Sequence, residues 1–173
     1  RPEPSLGSVL IAREVPKVGG DTLFANMEAA YRGLDDVTKA LIKDRRASHQ
    51  FEPMRQHLLQ SGADAEKMAK FEKKYPKTTH PIVRSHPVTG EKSIYVNRLF
   101  TVGIEGMTDG EAQPLLNKLF ATASHPEYQC RFRWHKHSIA FWDNRAAQHY
   151  ATADYYPHER LMERATIEGD RPV

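Results

Sequence analysis

Residues 128–134 (YQCRFRW) alternate strictly, with Tyr128, Cys130, Phe132 and Trp134 on one side and Gln129, Arg131 and Arg133 on the other. Only an extended strand with one covered face suits that period, because successive side chains of a strand point to opposite faces. The same logic recurs along the chain. Residues 7–13 (GSVLIAR) and 138–142 are short apolar runs that read as buried strands, and residues 22–25, 46–51, 80–85, 93–96 and 161–167 read as further short strands. Turn chemistry separates them: PKVGGD at 16–21, HPVTG at 86–90 and Asp143-Asn144. Helices are few. Asn26 caps a helix expected to run to about Ile42, with Ala30, Tyr31, Leu34, Val37, Leu41 and Ile42 at helical spacing. Thr108 and Glu111 form a capping-box pattern ahead of Leu115, Leu116, Leu119 and Phe120. Many short strands, two or three flanking helices and no strand–helix–strand rhythm predict a mainly β sandwich or barrel.

Residues 52–78 change character. They are rich in lysine and glutamate, and the helix expected from about Ala63 to Tyr75 has only Met68 and Phe71 on its apolar side. That is a poor core element, so the segment is expected to be a helical insertion over the fold, as a lid, an oligomer contact or a surface loop.

Composition narrows the classes. Cys130 is the single cysteine, which rules out an internal disulfide and a cysteine-based zinc site within these residues. A reducing, cytoplasmic setting is the expectation. No apolar run approaches the roughly 18 residues of a membrane span, so no membrane partner is expected. The net charge is +3, and the basic residues are scattered rather than striped. With no recognition helix either, no nucleic-acid partner is expected.

Chemistry concentrates near the end. His149 offers a neutral nitrogen ligand of the kind a metal takes. Arg160 offers a guanidinium fork for a small dicarboxylate, and Arg164 could face a second anion. On the last strand Arg160, Met162, Arg164 and Thr166 share a face by period 2, so both arginines point one way. A short strand at 22–25 would aim Thr22 into a cavity. Spacing alone leaves open a structural histidine, solvated arginines and a turn hydroxyl.

The whole run of residues 138–170, SIAFWDNRAAQHYATADYYPHERLMERATIEGD, resembles the C-terminal motif of the iron(II)- and 2-oxoglutarate-dependent taurine dioxygenase family. Gly19-Gly20-Asp21-Thr22-Leu23-Phe24 is similar to a second family motif, and HPVTG followed by Tyr95-Val96-Asn97 to a third. The resemblance extends over essentially the whole chain, in order. It implies a double-stranded β-helix, a cupin-like jelly roll, as one dioxygenase domain over residues 1–173. It implies iron(II) as metal, with His149 the distal ligand. Arg160 and Thr22 would hold the far carboxylate of 2-oxoglutarate. Arg164 would meet the substrate anion and Phe100 would line the substrate pocket. O2 and a small anionic substrate would be the partners, in a homodimer or homotetramer. The family's other two iron ligands form a His-x-Asp pair just ahead of the segment matching Arg1, so the chain is expected to be the C-terminal portion of a longer one. His125 with Glu127, and His135 with His137, are poor substitutes by position. The expected reaction hydroxylates taurine or a related alkylsulfonate, giving succinate, CO2, sulfite and an aldehyde. Sulfate esters and aryloxy acids are the alternative substrates, and a metal-free jelly-roll binding domain is the alternative class.

Overall fold

Strand β1 (Gly7–Glu14) is flanked by β9 (Ile139–Asp143) and β11 (Leu161–Ile167), both antiparallel to it, in a computed structural model that describes residues 1–173. Leu10 stands opposite Ala140 and Arg164, Ala12 opposite Met162, and Ser8 opposite Trp142 and Thr166. Residues directly opposed in an antiparallel pair share a face. Met162, Arg164 and Thr166 therefore point inward together, as the period of the last strand predicts, while Arg160 sits just before it.

A second antiparallel sheet places β2 (Thr22–Asn26) between β10 (Ala147–Ala151) and β8 (Gln129–Phe132). Its register aligns His149, Phe24 and Cys130 in one row, and Ala151, Thr22 and Phe132 in the next. The two sheets enclose a core of Ala12, Trp134, Ala140 and Trp142, with Leu10, Val15, Phe24, Phe132 and Met162 packed on it. Phe24 and Trp142 meet across the gap at 5.2 Å between ring centroids. This is the jelly-roll arrangement expected from the alternating runs.

The second sheet is a shared wall, because Ala25 faces away from Phe24 into a larger core of 15 buried residues. That core joins α1 (Met27–Arg32) and α5 (Asp109–Thr122) to β3 (Arg46–His49), β4 (Thr78–Pro81) and β7 (Thr101–Ile104), which form a third sheet, and to the hairpin of β5 (Val83–Ser85) and β6 (Lys92–Ile94). The capping box at Thr108 is present, with Glu111 accepting from the Thr108 backbone N–H at 2.8 Å. No helix is long and apolar enough to cross a membrane.

Several elements differ from the sequence expectation, which has no strand at β7 or at β10. The helix expected over 26–42 is two: α1, and α2 (Asp36–Ile42) with its own cap, the Asp35 carboxylate accepting from Thr38 N–H at 2.8 Å. The break falls at Gly33, where a Cβ would collide with the Tyr128 hydroxyl. Residues 52–78 hold two helices rather than one, α3 (Glu52–Gln60) and α4 (Ala65–Lys74), divided at Gly62, whose φ of +72° suits glycine. Aromatic rings attach this hairpin to the body: Phe71 on Tyr75, Tyr75 on Phe51 and Phe51 on Phe100. The expected strand over 80–85 is split at Ile82 between two sheets.

Under the third sheet His49 and His80 pack edge to face at 5.1 Å, both buried. Burial is the main cause that pushes His49 down to about 3 and His80 down to about 4, from an ordinary 6.5. The unfolded chain therefore binds protons first, and stability is lost as pH falls from about 6.5 toward 4. Urea unfolding across that window should show a steep loss for the native sequence and a shallower one for His49→Phe. Parallel curves would contradict the assignment.

Candidate functional site

The loop entering β2 holds Gly19 at φ +83° and Gly20 at φ +71°, a region that disfavours a side chain. This shape offers the Gly20 carbonyl to Arg160, whose Nε donates to it at 2.9 Å. A Cβ on Gly20 would stand 3.0 Å from Arg160 Cδ, so the second glycine also makes room for the arginine. Asp154 closes the loop from the other side, its Oδ1 accepting from Gly20 N–H at 2.8 Å. Asp21 anchors the strand start, accepting from Arg131 Nε at 2.7 Å and, through its carbonyl, from the Thr152 hydroxyl at 3.1 Å. The double-glycine motif and the arginine just before the last strand are thus parts of one construction, 140 residues apart.

Thr22 is the first residue of β2 and is 2% exposed. Its hydroxyl accepts from the Trp134 indole N–H at 3.0 Å. That bond fills one lone pair and leaves the hydroxyl hydrogen free to donate. Arg160 Nη2 is likewise buried and has no acceptor. Leaving a buried charged donor unpaired costs about 1–3 kcal/mol or more. A carboxylate is an acceptor for either donor, so the chemistry of these residues fits the far carboxylate of 2-oxoglutarate.

His149 lies on β10 with its ring 4.9 Å from Trp142 and 6.2 Å from Phe24. Its edge is exposed, but burial against these rings lowers its pKa, and the Arg164 guanidinium lowers it further. The imidazole is thereby kept in the neutral form that binds metal. Arg164 is exposed and inward-facing, opposite Leu10. The registers thus set Thr22 and His149 on one face of the second sheet, Arg164 lies near enough to lower the His149 pKa, and Arg160 is anchored at the loop entering β2. The fold does not bring Phe100 into the same aromatic set. Phe100 packs on Phe51 at 5.3 Å, where the helical hairpin joins the body. No three His, Cys, Asp or Glu side chains converge to hold a metal ion, so the donor set of these residues fits one ligand of an iron(II) site and not the whole of it.

Several participants carry no clear signal in the sequence. Trp134 reads as one more core aromatic of an alternating strand, and its indole N–H orients Thr22. Asp154 lies in a loop with no motif of its own and accepts from the Gly20 N–H. The turn between β9 and β10 is tied on all sides. Asp143 accepts from Arg145 Nη2 at 2.7 Å and pairs with His86 Nε2 at 3.1 Å. Partial burial raises the Asp143 pKa, but the hydrogen bonds from Arg145 and His86 outweigh it and hold the carboxyl well below the usual range.

Thr22→Val keeps the shape of the side chain and strands the Trp134 N–H. It should lower unfolding free energy by about 1–3 kcal/mol, and Thr22→Ser should restore most of it. Denaturant melts of the two variants check this; equal stability of Thr22→Val and the native sequence would contradict the contact.

The family model described as taurine catabolism dioxygenase TauD, TfdA family matches residues 1–166. The alpha-ketoglutarate-dependent sulfate ester dioxygenase of Pseudomonas putida is 34% identical over 170 residues, covering 96% of this chain and 56% of the relative. The (S)-phenoxypropionate/alpha-ketoglutarate-dioxygenase of Sphingobium herbicidovorans is 33% identical over 171 residues, covering 98% of this chain and 59% of the relative. The crystal structure of a taurine dioxygenase from Burkholderia xenovorans superposes with a TM-score of 0.83 at 34% identity, over 99% of this chain and 55% of that one. The chain thus spans a little over half the length of these relatives.

Proposed function

The chain belongs to the taurine catabolism dioxygenase TauD, TfdA family, and we propose that it carries the cosubstrate half of a 2-oxoglutarate-dependent dioxygenase site. The observation that carries this reading is the buried Arg160 Nη2 with no acceptor, on an arginine anchored to Gly20, two residues before the buried Thr22. Arg160 and Thr22 bind the far carboxylate of 2-oxoglutarate and fix its direction. Gly20 and Asp154 hold Arg160 and the loop in place. His149 supplies one ligand to iron(II), and these residues do not themselves complete the ligand set. When bound, iron(II) and 2-oxoglutarate supply oxidation of a substrate C–H bond by O2, with succinate and CO2 as products. Trp142 and Phe24 exclude water from two sides of the imidazole.

Arg164 faces the open side of this space and binds the anionic group of the substrate. Phe100 contributes an apolar wall where the helical hairpin meets the body. The substrate class is a small organic anion, with taurine or a related alkylsulfonate the first choice. That choice rests on GGDTLFAN, HPVTG and the ending RATIEGDRP, and on the likeness to the Burkholderia xenovorans enzyme. The Pseudomonas putida relative supports a sulfate ester as the second reading, because the same arginine suits either anion.

Arg160→Ala should raise the 2-oxoglutarate concentration needed for half-maximal succinate formation by about 10- to 100-fold, the size of a lost charge-assisted hydrogen bond. His149→Ala should abolish iron-dependent turnover. Sulfite release from taurine against sulfate release from an alkyl sulfate separates the two substrate readings. Unchanged succinate formation in both variants would contradict the assignment and favour a metal-free binding domain.

A further inference from the structure

Two sequence motifs that bear on the substrate choice only by likeness have no physical task in that reading, the HPVTG turn at 86–90 and the acidic end of RATIEGD. Both converge on the turn between β9 and β10, which joins Trp142 to the strand of His149. In that turn Asp143 Oδ1 accepts from the Arg145 backbone N–H at 2.8 Å and from Arg145 Nε at 2.9 Å. The Arg145 carbonyl accepts from the Ser93 hydroxyl at 2.9 Å, and Gln148 Nε2 donates to the Val96 carbonyl at 2.8 Å. Asp170 stands on the far side, 2.9 Å from Nη2 of Arg84 and 4.0 Å from Nη1 of Arg145. Arg84 is 1% exposed, so Asp170 is held by a fixed partner.

His86 is the link whose role can be assigned atom by atom. Its Nδ1 accepts from the backbone N–H groups of Val88 at 3.3 Å and Thr89 at 3.2 Å. A ring nitrogen that accepts two N–H bonds carries no hydrogen of its own. The ring hydrogen is therefore on Nε2, which donates to Asp143 Oδ2 at 3.1 Å. One face of the ring shapes its own hairpin, and the other reaches across to a turn 57 residues away. His86 is buried, so its side of the Asp143 contact is shielded from water, while the Asp143 side chain is 33% exposed.

We propose that His86 is a positioning residue for the metal-ligand strand: through Asp143 it locks the β9–β10 turn and so sets Trp142 and His149 in register across the site. The proposal rests on the reading of His149 as an iron(II) ligand. Direct hydrogen-bond partners of a metal ligand typically change metal affinity by 10–100-fold when removed; His86 reaches His149 only through the Asp143 turn and the β10 backbone, so about tenfold is the upper end for it.

Two substitutions separate this role from local turn shape. His86→Asn places an acceptor near the Nδ1 position and cannot reach Asp143. His86→Gln places a donor near the Nε2 position and loses the local acceptor. In the full-length protein, amide hydrogen exchange at residues 147–151 and the dissociation constant for iron(II) in the presence of 2-oxoglutarate are the readouts. Protection of the β1–β11 pairing serves as the control for overall folding. His86→Asn is expected to speed exchange on β10 and weaken iron(II) binding by up to roughly tenfold, with the control unchanged, while His86→Gln stays within about threefold of the native protein on the same scale. The reverse order, with His86→Gln the weaker variant, would overturn the proposal in favour of a local turn role. Native-like binding by His86→Asn would also overturn it. A native protein that binds no iron(II) would instead sink the functional reading, while the exchange rates of the two variants still decide whether His86 locks the turn.

Discussion

The contact between Arg160 and the Gly20 carbonyl is the constraint on which the rest of the site depends. It joins the two ends of the described chain at one point, the loop entering β2 and the residue before β11. An arginine placed there needs a backbone carbonyl presented at close range and no side chain in its path. Two successive glycines at positive φ meet both needs, and Asp154 satisfies the Gly20 N–H that this shape leaves without a ladder partner. The guanidinium is thus fixed through Nε, with Nη2 directed into buried space. A buried, oriented donor of this kind has little use in packing and a clear one in gripping a carboxylate.

The two sheets extend that construction to the metal side. Because the second sheet separates two cores, Thr22 and His149 on its inner face are held by packing on both sides of their strands. Trp134 orients the Thr22 hydroxyl, and Trp142 with Phe24 flanks the His149 ring. The polar turn at Asp143, Arg145 and His86 then fixes how β10 leaves β9. Thr22, Arg160 and His149 are each backed by a neighbouring group: Trp134, the Gly20 carbonyl, and Trp142 with Phe24. This distribution explains why the motifs are longer than the residues that touch a ligand.

Much of this was legible in the sequence, and the failures have physical causes. Apolar and period-2 runs mark five of the six strands of the two main sheets; β10, which carries His149, has no such run. Period 2 puts Met162, Arg164 and Thr166 on one face of β11, and Arg160 lies just before that strand. The capping box marked α5. The apolar spacing over 26–42 runs through Gly33 and Asp35 without a gap, so it hides the break there, although Asp35 is itself the cap that starts α2. The segment at 52–78 hid its first helix because α3 buries nothing and so has no apolar stripe to detect. The pairing of Gly20 with Arg160, of Thr22 with Trp134 and of His86 with Asp143 is long-range, so motif residues could be named but not joined. Resemblance supplied their roles, and geometry supplies the reason for Gly20, Asp154 and His86.

The most direct measurement is a titration of the protein with 2-oxoglutarate, without metal, followed by the NMR signals of the Arg160 Nε–H and the Trp134 indole N–H. A carboxylate bound between Arg160 and Thr22 must move both, the second through the hydroxyl it hydrogen-bonds. The expected result is saturable shifts of both signals with one common dissociation constant, reproduced by glutarate, which shares the far carboxylate. Shifts confined to Arg164, or no shift at either reporter, would contradict the placement of the cosubstrate site.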